Sequence, residues 1–158
     1  MKHVVGIGEM TVSDSPGDII VTHSLGSCVG LTLYDPIGRI GGMVHCMIPF
    51  SKSNEDKAKE NPCMFTDTGV VALLERILHL GAEKKKLIAK VAGAAKMLDG
   101  NDHFNTAERN YTVLRKVLWK NNILIEAEQT GGNIPRTLTL YLDNGRTTVS
   151  THRVETEF

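Results

Sequence analysis

Cys28 and His45 are the two residues of this chain whose types and spacing point most directly to covalent chemistry. They sit within Thr22 to Met47, where two β-like runs, Cys28 to Tyr34 and Ile40 to Ile48, flank Asp35-Pro36-Ile37-Gly38. That tetrapeptide has turn chemistry: proline presets φ, and aspartate and glycine tolerate the bend. A hairpin centred between Pro36 and Ile37 pairs residues whose numbers sum to 73, so Tyr34 faces Arg39 and Cys28 faces His45. Directly opposed antiparallel residues project to one face with Cβ atoms about 4.5–5.5 Å apart. A thiol is a weak nucleophile and a thiolate a strong one. A facing imidazole can take the proton and later return it to a leaving amine. Gly26-Ser27 permits a sharp turn in which the N–H groups of Ser27 and Cys28 face a developing oxyanion. The same residues admit a reading without chemistry, with Cys28 a small buried hydrophobe and His45 a hydrogen-bonded strand residue. A one-residue slip in register would send His45 to the opposite face.

The elements that must hold this pair can be read along the chain. Residues 3–9 form a first strand, Ser13 to Gly17 a turn, and Asp18 to Thr22 a second strand. Residues 49–63, polar and bounded by Pro49 and Pro62, lack periodicity and read as a long mobile loop. Val70, Leu73, Leu74, Ile77 and Leu78 recur at helical spacing after Thr66 or Asp67, and Gly81 follows as a C′ glycine. A buried strand begins at Lys86. A second helix starts at Asn105 with Glu108 as capping-box partner, and its apolar stripe is Tyr111, Leu114, Val117 and Leu118. Strands follow at 123–128, 137–142 and 146–150, with Thr130-Gly131-Gly132-Asn133 and Asp143-Asn144-Gly145 as turns and a polar, exposed tail from Thr151. The assembly this implies is an α+β layered domain over 1–158: a mixed, mostly antiparallel β-sandwich with two main helices packed outside.

Lys plus Arg and Asp plus Glu are 18 each, so zero net charge gives no electrostatic case for nucleic acid or an anionic membrane. No apolar run approaches the ~20 residues a membrane helix needs, and the first residues are too weakly apolar for a signal peptide. A cytoplasmic protein is expected. Cys28, Cys46 and Cys63 are an odd count without framework spacing, so free thiols are expected. His23, Cys28, His45, Cys46 and Cys63 include zinc-ligand types but lack the paired spacings of a zinc site. His45 and Cys46, adjacent on a strand, point to opposite faces, which makes Cys46 a packing residue. Gly6-Ile7-Gly8 lacks the third glycine and helix of a dinucleotide fingerprint. His79 reads as a solvated helix-end residue, and His3, His103 and His152 carry no pattern.

The run Pro16-Gly17, Thr22, Leu25-Gly26-Ser27-Cys28-Val29, His45 and Pro49 resembles the chemoreceptor glutamine deamidase CheD family. The likeness continues through Phe65-Thr66-Asp67, Gly81-Ala82, Gly93 to Met97, Arg109-Asn110 and Gly131-Gly132-Asn133 with Arg136. It departs at Ala94, where members often have a second glycine, and at Thr106-Ala107, where they often have Ile-Gly. The resemblance implies a cysteine hydrolase that converts selected glutamines of methyl-accepting chemotaxis receptors to glutamate without cofactor or metal. It implies a triad of Cys28 as nucleophile, His45 as general base and acid, and Thr22 as the residue that orients the histidine. It further implies a fold distantly like that of GTPase-deamidating toxins and docking of the adaptation phosphatase CheC. Glutamate methyl esters would pass through the same thioester. The competing expectation is a non-catalytic adaptor that regulates a phosphatase or receptor by docking. A papain-like protease fits poorly, because its histidine lies ~130 residues beyond its cysteine.

Overall fold

The structure is a computed structural model in which residues 1–97 and 105–158 are described; His103 lies outside them. Its strands form two five-stranded sheets. The first runs in the order β1 (Lys2–Val4), β3 (Ile19–Leu25), β8 (Arg136–Tyr141), β9 (Thr147–Thr151) and β10 (Val154–Glu157). The second runs β2 (Met10–Ser13), β5 (Ile40–Cys46), β4 (Val29–Asp35), β6 (Ile88–Gly93) and β7 (Ile125–Thr130). Pairing is antiparallel except for β1 with β3 and β6 with β7. The helices are α1 (Glu55–Glu60), α2 (Thr66–His79) and α3 (Thr106–Lys120). This is the layered, mostly antiparallel α+β arrangement expected.

Strands β4 and β5 are buried at every position because the second sheet is covered on both faces. Val29, Leu31, Leu33, Val44 and Cys46 pack outward against Leu73 and Ile77 of α2 and Leu114 and Leu118 of α3. Each large apolar side chain so covered contributes roughly 1.5–3 kcal/mol over its exposed state. The other face meets the first sheet through Cys28, Tyr34, Met43, Leu138 and Leu140. Cys28 therefore belongs to the inter-sheet layer and Cys46 to the helix layer, as strand alternation requires.

Several expectations are corrected. The segment 3–9 does not form one strand. It crosses between sheets, with β1 beside β3 and β2 beside β5. Residues 49–63 fold into 3-10 turns at Ser51–Ser53 and Pro62–Met64 around α1, and Ser51 donates to the Asp67 carboxylate from both N and Oγ. The polar composition concealed this structure because α1 buries no residue. Asn105 precedes α3 at φ +50 without a side-chain capping bond. The tail forms β10, joined to β9 through His152 and Arg153, both at positive φ as the tight turn requires.

Candidate active site

The hairpin register differs from the expected one by two residues. The pairs run from Asp35↔Ile40 to Gly30↔His45 and Val29↔Cys46, so paired numbers sum to 75, not 73. Tyr34 faces Gly41 rather than Arg39, and His45 faces Gly30 rather than Cys28. The cause is the turn. Asp35 Oδ1 accepts from the N–H groups of Ile37 and Gly38, and Arg39 adopts φ +55, which makes a four-residue loop of Pro36 to Arg39. A two-residue shift preserves the face. Cys28 lies one residue before the ladder, on the inter-sheet face that His45 shares. Gly30, directly opposite His45, presents no side chain, and a Cβ there would meet Leu25 and Leu138.

Thr22 reaches His45 from the other sheet. Its strand, β3, lies across the sandwich from the hairpin, between β1 and β8. Its register breaks between Thr22 and Leu25, where Ser24 takes φ +58. Such a bulge re-aims side chains at the edge of a pairing. Thr22 Oγ1 lies 2.6 Å from the carbonyl of Val5 and 2.7 Å from His45 Nδ1. A carbonyl only accepts, so the single hydroxyl proton goes to Val5 and Nδ1–H must donate to Thr22. The tautomer follows: Nε2 carries the lone pair. The backbone of His45 is fixed as well, its N–H donating to Glu9 O and its carbonyl accepting from Gly8 N.

Nε2 is buried and, among the described residues, takes no hydrogen bond, from the Cys28 thiol or from any other group. Thr22 and His45 are 0% and 1% exposed, and Cys28 is 8% exposed. Burial lowers the imidazole pKa to about 4 and raises the thiol to about 11, the latter opposed by the residue's own backbone N–H beside the sulfur. The resting pair is thus a neutral thiol and a neutral imidazole rather than an ion pair. The arrangement can deliver an acceptor lone pair to a thiol proton in a water-poor site, which is general-base chemistry.

The loop before Cys28 is seated by residues to which the sequence assigned no role. Ala94 N donates to Cys28 O and Ala95 N to Gly26 O, both at 2.8 Å. Arg136 Nη1 donates to the carbonyls of Gly93 and Gly131, so the Gly131-Gly132 turn braces this seat. Gly93 has φ +109, and a Cβ on it would collide with the Cys28 carbonyl. Ala94 takes φ +52, a conformation that costs a non-glycine residue. Adjacent substitutions should therefore have opposite signs in denaturant melts. Gly93→Ala should lose at least ~2 kcal/mol through strain and collision, while Ala94→Gly should gain about 0.5–1 kcal/mol. Equal losses at both would show that the backbone here relaxes freely.

Of the zinc-ligand types, His23 is exposed and Cys46 and Cys63 lie in the helix-side core, away from the Thr22–His45 contact. All three cysteines are free and buried. No group of three His, Cys, Asp or Glu among the described residues is arranged to hold a metal ion.

The model of the family described as CheD chemotactic sensory transduction matches residues 47–151. That match begins just past His45, so the geometry of Thr22, Cys28 and His45 stands independently of it. The chain is 45% identical over 143 residues to the Syntrophus aciditrophicus (strain SB) protein named "Probable chemoreceptor glutamine deamidase CheD 1", covering 90% of this chain and 89% of that one. It is 40% identical over 149 residues to the Pyrococcus horikoshii protein named "Probable chemoreceptor glutamine deamidase CheD", covering 92% and 90%. Among solved structures it is similar to the Bacillus licheniformis hypothetical protein YfiH, with TM-score 0.48, 12% identity, and coverage of 78% of this chain and 49% of that one. That structural likeness is too low to carry an argument. The family model spans well over half of the chain and the named relatives match nearly all of it, so the chain belongs to the CheD family.

Proposed function

We propose that the chain is a cysteine-dependent protein-glutamine deamidase that converts glutamines of methyl-accepting chemotaxis receptors to glutamate, acting as one domain in the cytoplasm. One observation carries the catalytic part: a buried histidine, held by Thr22 in the tautomer that bares Nε2, on the face from which Cys28 projects. The substrate class is supported by the names of the relatives.

The steps balance without a co-reactant other than water. The substrate carboxamide binds between sulfur and imidazole, whose hydrogen bond is unmade at rest and forms in the substrate complex. His45 Nε2 takes the thiol proton as sulfur attacks the amide carbon. The C–N bond then breaks, the proton passes from Nε2 to the departing NH2 group, and ammonia and a thioester result. Water, deprotonated by Nε2, attacks the thioester, and glutamate and the thiol are released. The backbone N–H of Cys28 lies beside the sulfur, where the oxyanion develops, and is the first candidate for its donor. A glutamate methyl ester would follow the same path with methanol as leaving group.

Met47 and Phe50, each 41% exposed and two and five residues beyond His45, are apolar surface suited to a protein substrate, and the Arg109 guanidinium lies 5.5 Å from the Phe50 ring. The phosphatase CheC is the partner this reading expects. A purely adaptor role leaves a buried imidazole with an unpartnered nitrogen unexplained, an arrangement that costs about 1–3 kcal/mol. The deciding experiment incubates the protein with a purified receptor cytoplasmic fragment and follows peptide masses. Conversion of NH2 to OH at particular glutamines, matched by ammonia release, is expected. Unchanged receptor masses alongside tight receptor binding would favour the adaptor.

A further inference from the structure

We infer that Asn110 is a positioning residue for the reaction, an amide clamp that holds the nucleophile's strand against the base's strand. The inference rests on the deamidase reading above. The β4–β5 ladder ends at Val29↔Cys46, one residue short of Cys28. Beyond that point one side chain replaces the ladder. Asn110 Nδ2, from α3, donates to the carbonyl of Ser27 and to the carbonyl of Met47, each at 3.0 Å. Ser27 immediately precedes the nucleophile, and Met47 lies two residues past His45.

The orientation of the amide is fully determined. Both carbonyls are acceptors, so each must face an N–H of the amide, and Oδ1 accepts from Thr66 Oγ1 at 2.8 Å. Asn110 is 0% exposed, so its amide is shielded from bulk water on the clamp side. Thr66 opens α2 and its N–H donates to Ile48 O, so the clamp is anchored to the same segment that it holds. A carboxylate at 110 would set an oxygen against two carbonyls, and an apolar residue would take the Asn110 donor from both. Either lets the 26–28 turn drift relative to the imidazole, and a misplacement near 1 Å costs about 10²-fold in rate.

The test uses Asn110→Ala, Asn110→Asp and Thr66→Val in the full chain, each assayed well below its melting temperature. The readout is the pH profile of Cys28 alkylation by iodoacetamide, together with kcat and KM on a receptor fragment. In the wild type, Nε2 assists proton removal, so alkylation should stay nearly flat from about pH 5 to 8. In Asn110→Ala and Asn110→Asp the rate near pH 6 should fall at least ~10-fold and climb with pH as for an unassisted thiol, while kcat falls ~10- to 100-fold with KM little changed. Thr66→Val, which frees the amide to turn, should show the same change more weakly. Folded Asn110 variants with a wild-type alkylation profile, even if less stable, would overturn the clamp. If neither Asn110 variant folds, Thr66→Val decides: a wild-type profile overturns the clamp and a shifted one supports it. Deamidation retained by Cys28→Ala would instead remove the reading beneath it, so the two failures are distinguishable.

Discussion

Replacing Cys28 by alanine is expected to cut ammonia release from receptor fragments by about 10⁴-fold or more, because a triad without its nucleophile loses most of its rate advantage. The fold should survive. Cys28 lies at the edge of the inter-sheet layer, and removal of one sulfur leaves Met43, Leu138 and Leu140 in place. The variant should therefore melt within ~1–2 kcal/mol of the wild type and still bind receptor. Selectivity of labelling offers a second check. Cys46 is fully buried against Gly69, with its thiol pKa pushed well above the ordinary value, and Cys63 is raised by burial too. An electrophile at neutral pH should modify Cys28 first, although its own pKa is also raised, because among the described residues only Cys28 has an imidazole lone pair on its face of the sheet. Equal, slow labelling of all three cysteines with deamidation intact would break the link between this thiol and the reaction.

What the sequence revealed and what it concealed divides along physical lines. Local pattern gave the hairpin, both major helices and the face shared by Cys28 and His45, since side-chain alternation survives a two-residue error. It could not give the loop length. Arg39 rather than Gly38 supplies the positive φ, and the side chain of Asp35 holds the turn through the N–H groups of Ile37 and Gly38. Nor could alternation bring Thr22 to His45. Family likeness supplied that pairing, while the path, across the sandwich from a bulged strand with Val5 as the proton's destination, depends on two sheets packing face to face. Asn110 was visible only as part of a matching block. Its role is a contact over 63 residues to Met47 and 83 to Ser27, which no local rule reaches.

His45 carries the second large effect. His45→Ala should lower kcat/KM by at least ~10³-fold, with the residual rate set by binding and backbone donors. The pH dependence of the wild type discriminates this role from a packing role. The neutral imidazole is the active form and burial holds its pKa near 4, so kcat/KM should stay level as pH falls through 6.5 and drop only near pH 4. Stability carries the same sign. A histidine whose folded pKa is depressed contributes fully above its unfolded value of 6.5, and this contribution is lost as pH falls toward about 4. Thr22→Val separates tautomer from mere presence. Without the hydroxyl, Nδ1–H loses its acceptor, and the ring can move its proton to Nε2, where no lone pair remains for Cys28. A loss of about 10–10²-fold in kcat is expected with the imidazole still buried. If Thr22→Val kept the wild-type rate, the Val5–Thr22–His45 chain would be packing, and the base would owe its tautomer to the arriving substrate.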